Sequence, residues 1–543
     1  MLGIRLHPQD HMSRPPTTLT HHWNITAGYR SPDGVRKKVY LVNDLFPGPT
    51  IECRSGDRLV IHVTNSLDSR EGVSIHWHGL GMRNAINMDG AVGFTQCAIA
   101  TDKTFVYDFV VDLEQAGTFW WHAHSQVERG DGMYGGLVVH KPVDFKSEGK
   151  GPGYKDEVLF LVGDWYHRSA EEVLGWYTSV RGFGNEPVPD SMLINGRGTF
   201  DCSMAAPARP VECVNIGRNQ FPGLLTPDLM NTTTRLRLVN VGSLAGFTIQ
   251  ISSAKLTPLT VDSGFSITGA APDSVGIIYP GERVDLLLTW DDTSPATSPR
   301  LHISLDPEHY TNSALRPNQS FPMFPVSSNI PTPPPSPASM IRNHFDLSSA
   351  TSRHPISLPE AAQQTILLYT KTQKLSISAN HPQGFMNRTS WSPQSAPLLS
   401  LPRSAWDENQ LIPYIPSDAW VDIVINNLDD GSHPFHLHGY SFYVLASHRS
   451  ENGWGSYNPY STSGASSIAP VMNLRNPVKK DTVSVPRRGY VVIRLKADNE
   501  GIWMLHCHVL FHQGSGMAMG IHVGGDERHA GVDLGAREFC ESA

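Results

Sequence analysis

A chain of 543 residues is too long for one ordinary domain and allows roughly two to four, each large enough to bury a core without help from disulfides. A formal net charge of -8, with no long Lys/Arg run, argues against nucleic acid or an anionic membrane as the main partner. No apolar stretch reaches the roughly 18 residues that a membrane-spanning helix needs.

The start, Met1 to Thr20, is polar, contains His7, His11, Pro15 and Pro16, and lacks the apolar core of a secretory signal. Three readings stay open: a signal has been removed, the sequence begins late, or the protein stays inside the cell. A secreted or vesicular compartment is expected. From about residue 20 the chain reads as mostly β, with short runs of Val, Ile, Leu, Phe and Thr between Gly, Pro, Asn and Asp. The first block, 20–145, holds Arg58 to Thr64 and Thr104 to Val111 and ends in Gly136-Leu137-Val138-Val139-His140. The second, 155–310, opens with the one candidate helix, Ala170 to Val180. It continues through Leu236 to Val241 and Val284 to Leu288 and ends near Leu301 to Leu305. Residues 311–361 are Pro/Ser-rich, with Pro331-Thr332-Pro333-Pro334-Pro335-Ser336-Pro337 at their centre, and read as a surface linker. The third block, 362–543, contains Val421 to Asn426 and Tyr490 to Leu495. All-β blocks of this size predict three β-sandwich domains. Sequons at Asn24, Asn231, Asn318 and Asn387 permit glycosylation but are expected by chance in a chain this long.

The 25 histidines cluster toward the two ends of the chain, and the middle block has no histidine pair. Four motifs stand out: His76-Trp77-His78-Gly79, His122-Ala123-His124, His433-Pro434-Phe435-His436-Leu437-His438-Gly439, and His506-Cys507-His508 with His512 and Met517 beyond. Each contains His at i and i+2, which on a strand point to the same face. The pairs His76/His78, His122/His124, His436/His438 and His506/His508 thus offer eight imidazoles, two pairs from each outer block, and imidazole suits copper. Cys507 points to the opposite side of its strand, where it can join His433 and His512. Two His and one Cys with a weak axial Met is an electron-transfer copper arrangement. Met517 is the axial candidate and Met519 the lesser one. A lone His-X-His means little, and His62, His140 and His522 read as ordinary strand or surface residues. The four motifs together, in this order, do not.

With these motifs the sequence resembles the three-domain multicopper oxidases: laccases, ascorbate oxidases and fungal ferroxidases. The segments Phe46-Pro47-Gly48-Pro49-Thr50-Ile51, Gly117-Thr118-Phe119-Trp120-Trp121-His122 and Tyr279-Pro280-Gly281-Glu282-Arg283-Val284-Asp285 extend the resemblance over nearly the whole chain, and the branch looks like the fungal laccase-like enzymes. The resemblance implies cupredoxin-like Greek-key sandwiches and four copper ions per chain: one type 1, one type 2 and two type 3. It implies His76 and His436 as type 2 ligands, and His78, His122, His124, His438, His506 and His508 as type 3 ligands. Cys507, His433 and His512 match the type 1 site, with Met517 axial as in ascorbate oxidase. Asp89 matches the acid that supports proton delivery to reduced oxygen, although Asp89-Gly90 also reads as a plain turn. A second acid found in some ferroxidases is replaced by Leu510. The resemblance further implies the disulfides Cys202–Cys213 and Cys97–Cys540, with Cys53 left as a buried thiol.

For the donor, Asp190 in Pro189-Asp190-Ser191 resembles the laccase acid that meets a phenol, where a base would take the proton as the electron leaves. A phenolic small molecule with O₂, acted on by a monomer in pigment or polyphenol biosynthesis, is the expectation. Glu186 falls where fungal ferroxidases place an iron-binding Glu, so iron is the rival. Ascorbate is a third donor. A non-catalytic copper-binding partner is the alternative of a different class, and the complete ligand set argues against it.

Overall fold

The computed structural model describes residues 1–68, 72–143, 153–217, 220–230, 232–291, 299–309, 318–325, 343–461, 470–525 and 533–542. Where apolar and polar residues alternate, the chain forms half-buried strands. Arg58–Asn65 buries Leu59, Ile61 and Val63 and turns the residues between them outward. Where the run is continuous, as in Gly117–Ala123, Tyr134–His140 and Gly501–Cys507, the strand is covered on both faces. In Gly117–Ala123, Trp121 packs into the first block's core while Trp120 packs against Leu159, Leu161 and Val239 of the second.

Among the described residues six sheets result, two centred on each block of sequence. In the first, Thr18–Arg30, Lys37–Val42, Arg58–Asn65 and Thr104–Val110 form one sheet; Ile51–Arg54, Ile75–His78, Gly117–Ala123 and Tyr134–His140 form the other. In the third, Trp420–Asn427 and Tyr490–Lys496 are central to a six-stranded sheet, and His433–Leu437, Gly501–Cys507 and Ala518–Val523 lie together in a five-stranded one. The architecture is all-β and cupredoxin-like.

Two stretches differ from the sequence expectation. The segment 311–361 is not a structureless linker. Asn318–Pro322 pairs with Arg300–Leu305, His344–Asp346 with Ser274–Ile278, and Thr351–Ser352 with Phe265–Thr268, all as edges of the middle sheets. Its Pro331–Pro337 core lies outside the described residues, as does Asn231. The N-terminus likewise joins the middle block: Ile4–Arg5 pairs antiparallel with Asp156–Trp165. Proline and serine weaken a strand but do not forbid an edge, where one row of hydrogen bonds is unused.

The expected helix forms over Ala170–Tyr177. Ser169 and Glu172 close its first turn as a capping box. Its buried face, Ala170, Val173 and Tyr177, packs on Leu510 and Phe511 of the short helix Leu510–Gly514 and on Val127, so all three blocks meet there. Both expected disulfides, Cys97–Cys540 and Cys202–Cys213, are present. Cys53 is a buried thiol whose pKa burial pushes far up. Among the described residues no helix is long and apolar enough to cross a membrane.

Candidate metal centres

Strand register builds the histidine cage. His76 faces His122 across one antiparallel pair, and His436 faces His506 across another, in the opposite outer block. The two halves then interleave: His76 stacks on His438 with ring centroids 3.9 Å apart, and His78 stacks on His436 at 3.7 Å. Both His-X-His strands stop at a glycine with positive φ, Gly79 (93°) and Gly439 (72°). A Cβ at Gly79 would meet Arg283 and Asp481, and one at Gly439 would press into Trp503, so only glycine lets the chain turn away there.

Neighbouring carbonyls and acids set which imidazole nitrogen faces inward. His76 Nδ1 donates to the Asp89 carbonyl at 2.8 Å, His122 Nδ1 to the Ala123 carbonyl at 2.9 Å, His436 Nδ1 to the Asp481 carbonyl at 2.9 Å, and His506 Nδ1 to the Cys507 carbonyl at 2.9 Å. His438 Nδ1 pairs with Asp89 Oδ2 at 2.8 Å. Each of these rings therefore presents an Nε2 lone pair to the shared space, where His76 and His436 approach to 3.4 Å and His438 and His506 to 3.1 Å. His78 differs: its Nε2 meets Thr482 Oγ1 at 3.0 Å, which leaves Nδ1.

These rings are almost wholly buried. Burial, reinforced by neighbouring cations and imidazoles, holds His78, His122, His124, His436, His506 and His508 well below the ordinary histidine range and brings His438 down to about 4. They are neutral donors. Among the described residues, His78 Nδ1, His122 Nε2, His124 Nε2 and both nitrogens of His508 have no hydrogen-bond partner. Leaving a buried polar atom unsatisfied costs about 1–3 kcal/mol. Several such atoms in one cage fit copper ions and are hard to explain without them. Nitrogens of His124, His438 and His506 lie within 4.8 Å of one another, as do those of His76, His436 and His438 and those of His76, His78 and His122.

The second centre uses the other ring nitrogen. His433 Nδ1 and His512 Nδ1 stand 3.0 Å apart, and Cys507 Sγ lies 3.7 and 3.6 Å from them. Their outward nitrogens are held by acids: His433 Nε2 by Asp429 Oδ2 at 3.1 Å and His512 Nε2 by Glu186 Oε1 at 2.8 Å. Burial alone would raise the Cys507 thiol, but the two histidines overcome it and bring it down to about 7. His433 rises to about 9 against its burial because of Asp429 and Cys507. This poised thiolate with two Nδ1 donors suits a soft one-electron metal. Met517 is fully buried and tied to both neighbours, its carbonyl accepting from Cys507 N–H and its N–H donating to the His512 carbonyl, each at 3.0 Å. Met519 pairs with Leu505, further along the sheet.

The three candidate acids part company. Asp89 is buried between His438 and His76, which together hold its carboxyl well below the usual range despite burial. Glu186 reaches the Cys507 centre through His512. Asp190, four residues on, instead accepts from His167 N–H at 2.8 Å and lines a cavity of about 1000 Å³.

Sequence reasoning missed four groups here. Asp429 sits four residues before His433 in what reads as a turn. Asp481 lies 3.4 Å from His78 Nε2 and 3.6 Å from His436 Nδ1. Arg283 of the middle block grips both Asp481 oxygens at 2.6 Å. Arg129 donates to the carbonyls of Gly242 and His508, joining all three blocks. The Tyr279–Asp285 motif contained Arg283, but nothing local reveals its partner.

Models of the multicopper oxidases match residues 24–144, 156–297 and 370–527. The chain is 32% identical to laccase-1 of Cryptococcus neoformans var. grubii, over 92% of this chain and 79% of that one. It is 31% identical to L-ascorbate oxidase of Brassica rapa subsp. pekinensis, over 92% and 90%. The crystal structure of Fet3p, a multicopper oxidase that functions in iron import, superimposes with a TM-score of 0.81 and 25% identity, covering 97% of this chain and 95% of that one.

Proposed function

The chain belongs to the multicopper oxidase family, and from that premise we propose that it takes single electrons from a small phenolic donor and uses them to reduce O₂ to water. Copper, when bound, supplies the one-electron redox chemistry and the reduction of O₂. His433, Cys507 and His512, with Met517 beside them, would hold the type 1 ion; His76 and His436 would hold type 2; and His78, His122, His124, His438, His506 and His508 would hold the type 3 pair. Asp89, kept ionised, fixes the orientation of His438 and handles protons at the cage.

One observation carries the donor assignment. Val188, Pro189 and Asp190 line the cavity, and two residues before Val188 in the chain stands Glu186, whose carboxylate holds His512. Val188 is two residues from Glu186, so their Cα atoms are at most about 7 Å apart. A phenol seated there gives its proton to Asp190 as an electron leaves toward His512, and becomes a phenoxyl radical. Four phenols release the four electrons and four protons that turn O₂ into two waters. Pigment or polyphenol coupling is the physiological setting this implies.

Iron(II) is the second reading, and a specific observation favours it. Glu186 and Asp429 together carry both outward nitrogens of the pair, each with its side chain 19% exposed. Two partly exposed carboxylates are oxygen donors for a hard cation.

Turnover of a phenol, Fe²⁺ and ascorbate, each normalised to an outer-sphere donor, separates them. The normalisation matters because Glu186 touches His512, so its replacement acts on every donor. Under the phenol reading Asp190→Asn lowers phenol turnover by about 10²–10⁴ and spares Fe²⁺. Under the iron reading Glu186→Gln and Asp429→Asn raise the Fe²⁺ requirement and Asp190→Asn is mild.

A further inference from the structure

The cavity beside Asp190 has a charge pattern that phenol binding alone does not require. Its walls are the residues leading into the helix Ala170–Tyr177, the segment 188–191, the loop closed by Cys202–Cys213, and the edge strand Asn318–Pro322. At about 1000 Å³ it lies at the upper end of the roughly 300–1,000 Å³ usual for small-molecule sites. Phe200 and Pro189 give it an apolar wall, and Phe200 stands edge-on to His167, with ring centroids 4.5 Å apart.

The three wall carboxylates are engaged by their own neighbourhood. Asp190 accepts from His167 N–H, Glu172 from Ser169 N–H at 3.1 Å, and Asp201 from Ser203 N–H at 3.0 Å and the Ser203 hydroxyl at 2.7 Å. Two guanidinium groups line the same space, Arg168 and Arg209. Neither forms an ion pair with a carboxylate among the described residues. Arg168 overhangs the Trp176 ring, at 5.5 Å. Burial, and then the charge of Arg209, weakens the hold of Arg168 on its proton, while the charges of Asp190 and Glu172 oppose that loss without contacting the guanidinium. Two cations that repel each other beside apolar walls make a receptor for an anion, and guanidinium matches the planar carboxylate fork.

We propose that this cavity binds a carboxylate-bearing aromatic molecule, its anion held by Arg168 and Arg209 and its ring against Phe200 and Pro189. Naming that molecule as the electron donor, a phenolic acid, rests on the phenol reading above; the binding itself does not.

The copper-loaded full chain is titrated calorimetrically with 4-methoxycinnamate, which has no oxidisable hydroxyl, and with its methyl ester. The acid should bind at least tenfold tighter than the ester. Arg168→Gln and Arg209→Gln should each lower that preference about tenfold, the loss of a charge-assisted hydrogen bond, and Arg168→Lys should fall between. Arg209 is exposed on its loop, so Arg209→Gln tests the site without disturbing the core. Steady-state kinetics with 4-hydroxycinnamate and its methyl ester should show the same loss of preference in KM, with kcat for the acid retained. Equal binding of acid and ester, or a preference unmoved by either arginine variant, overturns the proposal. If the acid binds through the arginines but no phenol is oxidised, the cavity stands and the phenol reading falls. If acid and ester phenols are oxidised alike, the reverse holds.

Discussion

Every ligand candidate of the eight-histidine cage lies on a β-strand or one residue past its end, whereas the acids around His433 and His512 come from loops. The cage is assembled from four short stretches whose register is fixed by backbone pairing, and it is sealed from water. The outer face of the Cys507 centre is assembled from the turn at Asp429 and the extended stretch at Glu186, and it keeps partial exposure. A sealed cage tolerates little variation, because a one-residue slip on any strand turns its histidines to the wrong face. A rim built from loops can change its acids without moving a strand. That is consistent with relatives named as a laccase, an ascorbate oxidase and an iron-import oxidase sharing this scaffold.

The sharpest way to break this division is Cys507→Ser. If the two centres are separate units joined through one strand, the variant loses its blue absorption and its turnover on every donor. The cage keeps its copper, about three of four ions by metal analysis. Retention of the original phenol turnover would falsify the division of labour.

The next effect tests whether the cage depends on the block that contributes none of its histidines. Arg283 and Asp481 are both fully buried, and Asp481 faces His78 and His436. Arg283→Met strands that carboxylate, which should cost about 3–5 kcal/mol of stability. Calorimetric unfolding checks it, and an accompanying loss of cage copper with the Cys507 colour intact would place the defect in the cage alone. An unchanged Tm would mean that the middle block merely abuts the seam.

The smallest effect concerns tuning. Met517→Leu removes a weak thioether donor and should raise the type 1 potential while leaving the blue band largely in place; Met519→Leu should shift it much less. Redox titration of the two variants decides, and the opposite ranking would move the axial assignment to Met519.

The same division explains what was legible in the sequence. His-X-His spacing and strand period share the number two, so the cage and its parent strands could be read together. Strands such as Arg58–Asn65 and Trp420–Asn427 announced themselves by local pattern. Asp429 was hidden because an acid in a turn looks like any other turn acid. The Arg283–Asp481 pair was hidden because its partners are 198 residues apart. Glu186 and Asp190 are neighbours in sequence, yet an extended chain carries one to His512 and the other to His167, a difference that their spacing does not reveal. The edge strands within 311–361 were masked by a composition that usually marks linkers.

Cys97 and Cys540 are 443 residues apart in sequence and joined by one bond. The polypeptide from Cys97 to Cys540 is therefore a closed ring that carries six of the eight cage histidines, and His76 and His78 stand on the stretch just before it. A protease that cuts once anywhere inside that ring leaves a single covalent molecule. The two halves of the ligand set stay tethered at high effective concentration, so the seam can close again instead of drifting apart. Reducing agent and one nick should each be survivable alone; applied together, they should release the metal.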